Sequence, residues 1–266
     1  MRLFISLLLL GLAAGLRAEE TSRPATPEEV VLFKEAVKNT TQDTEHWAYT
    51  ETTVMKSTKG KVREETVVRF DPSRPWPEQY TPLKIEGKVP TERQLKKYRE
   101  RGEKRGDRLA RPAEPVDATA PAKPERGKKV TLDLDNPRVL KDEGDRLVYE
   151  AALKATTKDI PVDKFEVRVV VGKAARQVQH ISLRLRESFR VKLVAKLKAG
   201  EASADFAVVD PQYGPVMVSA TGSFGASLLF VPVNGIFTNI RTDWKRVKPY
   251  NDRLQVKLGP LEVLDF

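Results

Sequence analysis

The chain has 266 residues, of which 47 are lysine or arginine and 37 are aspartate or glutamate, so its formal net charge is +10 at pH 7. It has no cysteine, which excludes disulfides and thiol chemistry. Charged residues make up 32% of the chain and hydrophobic residues 40%, a balance typical of a soluble globular protein with a slight preference for anionic partners.

The first 18 residues have the pattern of a cleavable secretory signal peptide. Arg2 precedes an apolar run at residues 3–12, and residues 16–18 fit a signal-peptidase site. The run is too short to span a bilayer as a stable helix. Cleavage would remove two arginines and no acid, which lowers the net charge from +10 to about +8. We therefore expect a periplasmic protein, exported through this signal and not lipidated, since no cysteine follows it.

A capping box predicts that a short amphipathic helix begins the mature domain. Thr26 supplies the N-cap hydroxyl and Glu29 supplies the acid three residues later. Val30, Phe33 and Val37 follow at helical spacing, so we expect them to face the core.

The period changes from that of a helix to that of a strand at Trp47. Two alternating segments follow, and the turn residues 57–60 between them predict a β-hairpin. Three prolines within residues 71–77 cannot continue a ladder of hydrogen bonds. This stretch is therefore expected to form a loop before a brief strand at residues 79–85.

A second capping box, Thr91 with Gln94, begins a helix in the middle of the chain. Only Leu95 and Tyr98 offer it apolar contacts, so we expect this helix to be mostly solvated. Four prolines then lie among alanines and charges at about residues 107–127. That composition predicts a flexible loop without a core of its own.

Nearly all of the second half alternates between apolar and polar residues, and the clearest pattern is at residues 181–197. Strands are expected at residues 147–155, 165–171, 181–197, 202–209, 215–221, 226–233 and 236–248. Asp210-Pro211 and Asn234-Gly235 are predicted turns, the second of them a hairpin. The glycine-rich residues 222–225 are interpreted as a turn or bulge.

These elements predict an α+β protein that is mainly antiparallel β. About ten strands would form one large curved sheet or half-open barrel with one or two packing helices. Residues 19–266 are expected to form a single β-rich domain.

The sequence contains little that indicates catalysis. The two histidines, His46 and His180, have neither a zinc-helix spacing nor a nucleophilic serine motif beside them. His180 lies on the polar side of its predicted strand, which favours an exposed histidine. We predict no metal site, no cofactor and no enzyme activity.

The order of these elements resembles the LolA-like superfamily of periplasmic proteins. The resemblance depends on the signal peptide, the opening helix, Trp47 in the first strand, Asp71-Pro72 after the second, the mid-chain helix, the long antiparallel strands, and Thr242-Asp243-Trp244 in a late strand. It implies a half-open β-barrel that carries lipoprotein acyl chains or serves as an envelope sensor.

Three functions follow as hypotheses. The first is a binding or carrier protein for a hydrophobic or lipid-linked ligand held in the concave face of the sheet. The second is a non-catalytic envelope interaction or sensor module with a filled core. The third is an enzyme, which ranks well below the other two.

The carrier hypothesis assigns two groups of residues. The predicted cleft lining consists of Leu183, Leu185, Phe189, Val191, Leu193, Leu228 and Phe230. The predicted contacts to an anionic headgroup are Arg184, Arg186 and Arg190. Lipid or acylated ligands and envelope proteins are the expected partners. Export excludes nucleic acid, and the basic run at residues 96–111 is expected to be a solvated helix face. If this run binds a partner, an anionic membrane surface or lipid A headgroup is the nearer candidate, so any membrane contact is expected to be peripheral and not integral.

Overall fold

One large open antiparallel sheet, with two α-helices packed on it, forms the fold of the described residues. The computed structural model describes residues 22–41, 44–110, 130–155, 161–191, 195–228 and 231–253. The predicted signal peptide lies outside these residues. Neither described helix is long and apolar enough to cross a bilayer.

The helices are α1 (Pro27–Thr41) and α2 (Glu92–Ala110). The strands are β1 (Arg23–Pro24), β2 (Trp47–Lys56), β3 (Val62–Phe70), β4 (Tyr80–Ile85), β5 (Val130–Leu132), β6 (Arg138–Asp142), β7 (Arg146–Ala151), β8 (Leu153–Ala155), β9 (Phe165–Gly172), β10 (Gln177–Leu185), β11 (Phe189–Val191), β12 (Ala195–Ala207), β13 (Val216–Leu228) and β14 (Val231–Arg246).

Twelve of these strands form the main sheet, in the order β1-β6-β7-β9-β10-β12-β13-β14-β2-β3-β4, with β11 added beside β12. Strands β5 and β8 form a separate pair. Every pairing is antiparallel, and β1 and β4 are the two ends of the order, so the sheet is not closed. The predicted α+β class, with one large sheet and packing helices, is confirmed.

Both predicted capping boxes are formed. At the start of α1, the backbone N–H of Glu29 donates to the Thr26 hydroxyl, and the Thr26 N–H donates to the Glu29 carboxylate. At the start of α2, Thr91 and Gln94 make the same reciprocal pair. Each box satisfies backbone donors that have no partner within the helix, which fixes where the helix begins.

The core lies between α1 and strands β6 to β10. Phe33 of α1 is fully buried, and its ring centroid lies 4.9 Å from that of Tyr149 on β7. The Tyr149 hydroxyl donates to the Glu29 carbonyl oxygen, so this buried phenol is satisfied. Burial, the largest cause, raises the pKa of Tyr149 above its ordinary range. The core-facing role predicted for Phe33 is confirmed.

Three strand predictions in the second half are wrong. Residues 147–155 are not one strand, because β7 ends at Ala151 in the main sheet and β8 pairs with β5 in the separate pair. Residues 181–197 are not one strand, because β10 ends at Leu185 and β11 and β12 follow as separate strands. Asn234-Gly235 is not a hairpin turn, because both residues lie inside β14 and pair with Gly225 and Phe224. Strands β13 and β14 pair antiparallel up to Leu228 and Val231, and residues 229–230 between them lie outside the described residues.

The glycine-rich residues 222–225 also form no turn, since all four lie within β13. A Cβ on Gly222 would meet the ring of Phe237 at 2.5 Å, and a Cβ on Gly235 would meet the ring of Phe224 at 2.9 Å. The two aromatic rings therefore lie over glycines on the neighbouring strand. This packing stabilises a strand conformation that glycine by itself disfavours.

The prediction that α2 is mostly solvated is confirmed, although one side of the helix is buried. Gly102, Arg105 and Gly106 are buried where α2 meets the loop that contains Trp76. A Cβ on Gly102 would lie 1.9 Å from the backbone oxygen of Trp76, so only glycine permits this approach. The helix continues to Ala110, past the predicted loop start at residue 107, and residues 111–129 lie outside the described part of the chain.

Candidate functional site

The candidate site is an apolar strip that crosses the middle of the main sheet. Leu183, Ala202, Gly222, Phe237 and Met55 lie directly opposite one another on β10, β12, β13, β14 and β2. Since paired residues of antiparallel strands project from the same side, this register places all five on one face. We call the following residues the central strip: Met55, Ala202, Ala204, Ala220, Gly222, Phe224 and Phe237.

Both helices pack on the face that carries the central strip, which we call the helix face. On one side, Phe33 of α1 packs on Tyr149. A row of cross-strand pairs then leads from Tyr149 through Val169 and Ile181 to Ala204 of the strip. On the other side, the guanidinium of Arg105 on α2 lies 5.2 Å from the ring centroid of Phe70. Phe70 pairs with Tyr49, which shares the side of β2 that carries Met55. The strip therefore lies between the two helices.

Four of the seven residues of the strip are alanine or glycine, and the other three are Met55, Phe224 and Phe237. Among the described elements, α1 packs on β10 and α2 packs on β4, one on each side of the strip. Its residues are half-buried, except for Gly222, which is buried beneath Phe237. Gly200, two residues before Ala202, has open space above it. A Cβ placed there would find its nearest neighbour, the backbone oxygen of Ser223, 3.9 Å away. Small residues at the centre of a sheet leave room for an added apolar group.

The strip becomes polar along β14 toward the end of the sheet near Trp47. Asn239 donates from Nδ2 to the Thr53 hydroxyl at 3.0 Å, while its Oδ1 is buried and has no hydrogen-bond partner among the described residues. Two residues on, Arg241 donates from Nε to the Glu51 carboxylate at 3.0 Å and stacks over the Tyr49 ring at 4.6 Å. An apolar surface thus ends at an amide and an arginine.

An aromatic and arginine cluster continues the helix face beyond Arg241. Its ring members are Trp47, Tyr49, Phe70, Tyr80, Tyr213 and Trp244, with neighbouring centroids 4.9–6.1 Å apart. Arg246 stacks over Tyr213 at 4.0 Å and Arg101 over Tyr80 at 4.2 Å. Burial raises the pKa of the Tyr49 hydroxyl above its ordinary value. The rings and guanidinium groups stabilise one another through dispersion and cation–π contacts.

Arg105 is a buried residue whose contacts hold α2 on the sheet. It donates from Nη1 to the Gln79 amide oxygen at 2.7 Å and forms an ion pair with Glu45. Gln79 is fully buried and donates in turn to the carbonyl oxygens of Pro72 and Arg74. Burial lowers the pKa of Arg105 from its ordinary value, yet an arginine remains charged at neutral pH. These contacts fix the position of α2 on the sheet.

A polar cavity of about 190 Å³ lies beside Trp47, where α1 ends. Its lining residues are Asn39, Trp47, Gln177, Pro211, Gln212, Tyr213 and Gly214. The side chains of Asn39, Gln177 and Gln212 give it a neutral, hydrogen-bonding lining. It is separate from the apolar surface of the central strip.

The opposite face of the sheet, which we call the polar face, carries His180. Its Nδ1 lies 2.7 Å from the carboxylate of Asp205, which also accepts a hydrogen bond from the Ser219 hydroxyl at 2.6 Å. These two contacts, Ser219 first, lower the pKa of Asp205. Asp205 lies between serine and histidine, so this trio lacks the serine-to-histidine hydrogen bond of a hydrolase triad. No group of metal-ligand side chains is found among the described residues.

The predicted cleft residues only partly come together. Leu183 and Leu185 lie on the helix face, and the ring of Phe189 packs against Phe165 at 5.7 Å. Val191 and Leu228 are the last residues of β11 and β13, and their side chains are not described. Leu193 and Phe230 lie outside the described residues.

The predicted headgroup arginines lie apart from that lining. Arg184 pairs across strands with Glu166 and Glu201 on the polar face, opposite the helix face that carries Leu183. Arg186 forms ion pairs with Glu150 and Glu166. Arg190 is exposed on β11. At least Arg184 therefore projects from the other side of the sheet.

Sequence reasoning missed the central strip because four of its seven residues are alanine or glycine. Small side chains contribute little to a hydrophobic pattern, and the strip contains four of them: Ala202, Ala204, Ala220 and Gly222. They do alternate with polar residues, as a half-buried strand requires: Ser203, Asp205, Thr221 and Ser223. The alternation of small with polar residues in β12 and β13 was the available signal. Their alignment with Phe237 and Met55 depends on strand order, which the sequence does not specify.

Comparisons of the chain with protein-family models, with curated proteins and with solved structures find no match. The resemblance to the LolA-like superfamily stays a prediction. The function is therefore inferred from the geometry of the helix face.

Proposed function

We propose that the protein is a periplasmic binding or carrier protein for a hydrophobic or lipid-linked ligand. The observation that carries this proposal is the half-exposed central strip, which lies between two helices on the same face of the sheet. Small residues such as Ala202 and Ala220 would form the floor, and Phe224 and Phe237 would offer apolar rings to a ligand chain. The LolA-like resemblance agrees with this proposal, since it implies an acyl-chain carrier.

The chemistry of the strip suits an elongated amphipathic ligand. Burial of an acyl chain contributes about 0.8 kcal/mol per methylene, so ten methylenes would supply roughly 8 kcal/mol before the costs of association. The polar end of the strip, with Asn239 and Arg241, would meet a polar head. The unpartnered Oδ1 of Asn239 could accept a hydrogen bond from such a group.

Larger side chains in the central strip should weaken the binding of an acyl chain. We expect the Ala202→Leu/Ala220→Leu double variant to bind cis-parinaric acid at least about tenfold more weakly than the wild type, because added side chains occupy the space that an acyl chain needs. Fluorescence titration measures this. The matched control is Ser203→Leu/Thr221→Leu, which places the same side chains at adjacent positions on the polar face. Equal binding by the strip variant and the wild type would contradict the proposed site.

Native mass spectrometry of protein purified from the periplasm tests the proposal without substitution. A stoichiometric lipid or acylated peptide that dissociates in the gas phase supports a carrier and identifies its cargo class. A clean apo mass, together with no uptake of offered fatty acid, contradicts it.

A non-catalytic envelope interaction or sensor module is the second candidate. The fully buried core beneath α1, with Phe33, Tyr149 and Val169 at 0% exposure, favours it. So does the small volume and polar lining of the cavity beside Trp47. A module of this kind would bind a protein partner and would carry no lipid.

A further inference from the structure

The charged residues of α2 are partly segregated around the helix. Five of its eight basic residues recur at spacings of four, four, three and four and so form one continuous line, while Lys96 lies among the acidic residues. We call this line the basic stripe, and it consists of Arg93, Lys97, Arg101, Lys104 and Arg108. At about 1.5 Å per residue, the line is about 22 Å long. The acidic residues of the helix, Glu92, Glu100, Glu103 and Asp107, lie on the adjacent flank, where Glu92 pairs with Arg99 at 3.6 Å.

The basic stripe is accessible, and most of it is unpaired. All five of its residues are exposed. Arg101 stacks over Tyr80. Among the described residues, the other four have no acidic partner within ion-pair distance. The arginines of the polar face differ, since Arg168 pairs with Glu166 and Arg186 pairs with Glu150.

The stripe is also held firmly. Gly102, Arg105 and Gly106 pack on the Trp76 loop from the other side of α2, so the stripe faces away from that loop, with Arg101 stacked over Tyr80 at the edge of the sheet. Exposed apolar side chains flank it along the chain. Val89, two residues before the N-cap Thr91, is 86% exposed, and Leu109 near the end of the helix is 48% exposed.

We propose that the basic stripe of α2 docks the protein on the surface of an anionic phospholipid bilayer. A line of cations is attracted to a surface of phosphate groups. This attraction does not require each cation to have one fixed partner. An acidic protein partner would match the charge equally well, but the exposed Val89 favours a bilayer, because an apolar side chain beside a basic helix can enter the headgroup region. The surface is distinct from the central strip and does not depend on the proposed acyl-chain binding.

Vesicle co-sedimentation of the ligand-free protein tests the proposal. Wild-type protein should bind vesicles of equal parts phosphatidylcholine and phosphatidylglycerol at low ionic strength, and should bind neither pure phosphatidylcholine nor the anionic vesicles at high salt. The stripe variant changes four unpaired cations to glutamine: Arg93→Gln, Lys97→Gln, Lys104→Gln and Arg108→Gln. It should bind the anionic vesicles at least about tenfold more weakly.

A matched control removes the same charge from exposed lysines elsewhere in the chain. It carries Lys59→Gln, Lys196→Gln, Lys198→Gln and Lys245→Gln, and we expect its binding to fall less than about twofold. Circular dichroism and thermal unfolding should show both variants folded, since all eight side chains are exposed. Absence of wild-type binding to anionic vesicles would overturn the proposal in favour of a protein partner. Equal losses in the two variants would overturn it in favour of net charge alone.

Discussion

Replacing Phe33 with alanine should lower the free energy of unfolding by about 3–5 kcal/mol. The ring is fully buried between α1 and the sheet and packs on Tyr149 at a centroid distance of 4.9 Å. Its removal would take away apolar burial and leave a cavity between α1 and the sheet. Tyr149 is anchored by its hydrogen bond to Glu29 and could relax only partly into that space.

Urea unfolding followed by circular dichroism measures this difference. Val31→Ala is the matched control on the same helix, and since Val31 is 51% exposed we expect its effect to stay within about 0.5 kcal/mol. Phe33→Leu should lie between the two, at about 1–2 kcal/mol, and provides a measurement if the alanine variant does not fold. A loss below about 1 kcal/mol for Phe33→Ala would mean that α1 does not pack as described.

The Arg105→Ala variant should lose about 3 kcal/mol of stability, because several contacts depend on one guanidinium group. Its removal leaves the amide oxygen of the fully buried Gln79 without this donor, which costs about 1–3 kcal/mol. It also removes packing on Phe70 and Trp76. The ion pair with Glu45 adds less, since the Glu45 side chain is 53% exposed.

Arg101→Ala is the control for this prediction, since Arg101 stacks on Tyr80 from the exposed side of the same helix. We expect it to cost less than about 1 kcal/mol. Arg105→Lys should not restore stability, because one ammonium cannot reach Gln79 and Glu45 with the geometry of a guanidinium fork. Full stability of the Arg105→Lys variant in urea unfolding would contradict the role given to the fork.

Arg105 also connects stability to the proposed membrane docking. It lies on the side of α2 that packs on the sheet, while the basic stripe occupies the exposed side. Loss of Arg105 should therefore weaken the packing of α2 on the sheet, while all five charges of the basic stripe remain. Hydrogen exchange along α2 would detect such loosening as faster exchange at residues 95–106.

Local signals in the sequence were sufficient for several elements. The capping boxes at Thr26 and Thr91 act over three residues, so their hydrogen bonds could be predicted without knowledge of the fold. The same holds for the hairpin at residues 57–60, where Gly60 has a φ of 80° and the Gly60 N–H donates to the Ser57 carbonyl oxygen. Alternation likewise predicted that β9 and β10 would each present one apolar side.

In other places, contacts between strands prevented the turn that the local sequence favours. Asn234-Gly235 has strong turn propensity, yet Phe224 covers Gly235 from the neighbouring strand and keeps it within β14. Gly222 behaves in the same way beneath Phe237. A turn preference of about 1 kcal/mol is small beside two continuous ladders and two aromatic contacts.

The sequence alone determined the class of the protein, because strand alternation and helix caps are properties of neighbouring residues. It predicted a mainly antiparallel sheet with one or two packing helices, and that prediction is confirmed by a large open sheet with two helices. Only the tertiary structure decided which residues share a face. Ala202, Gly222 and Phe237 are brought into register by strand pairing, and the buried side of α2 exists because the Trp76 loop meets Gly102 and Gly106. Both the central strip and the basic stripe depend on such long-range packing, which a local pattern does not encode.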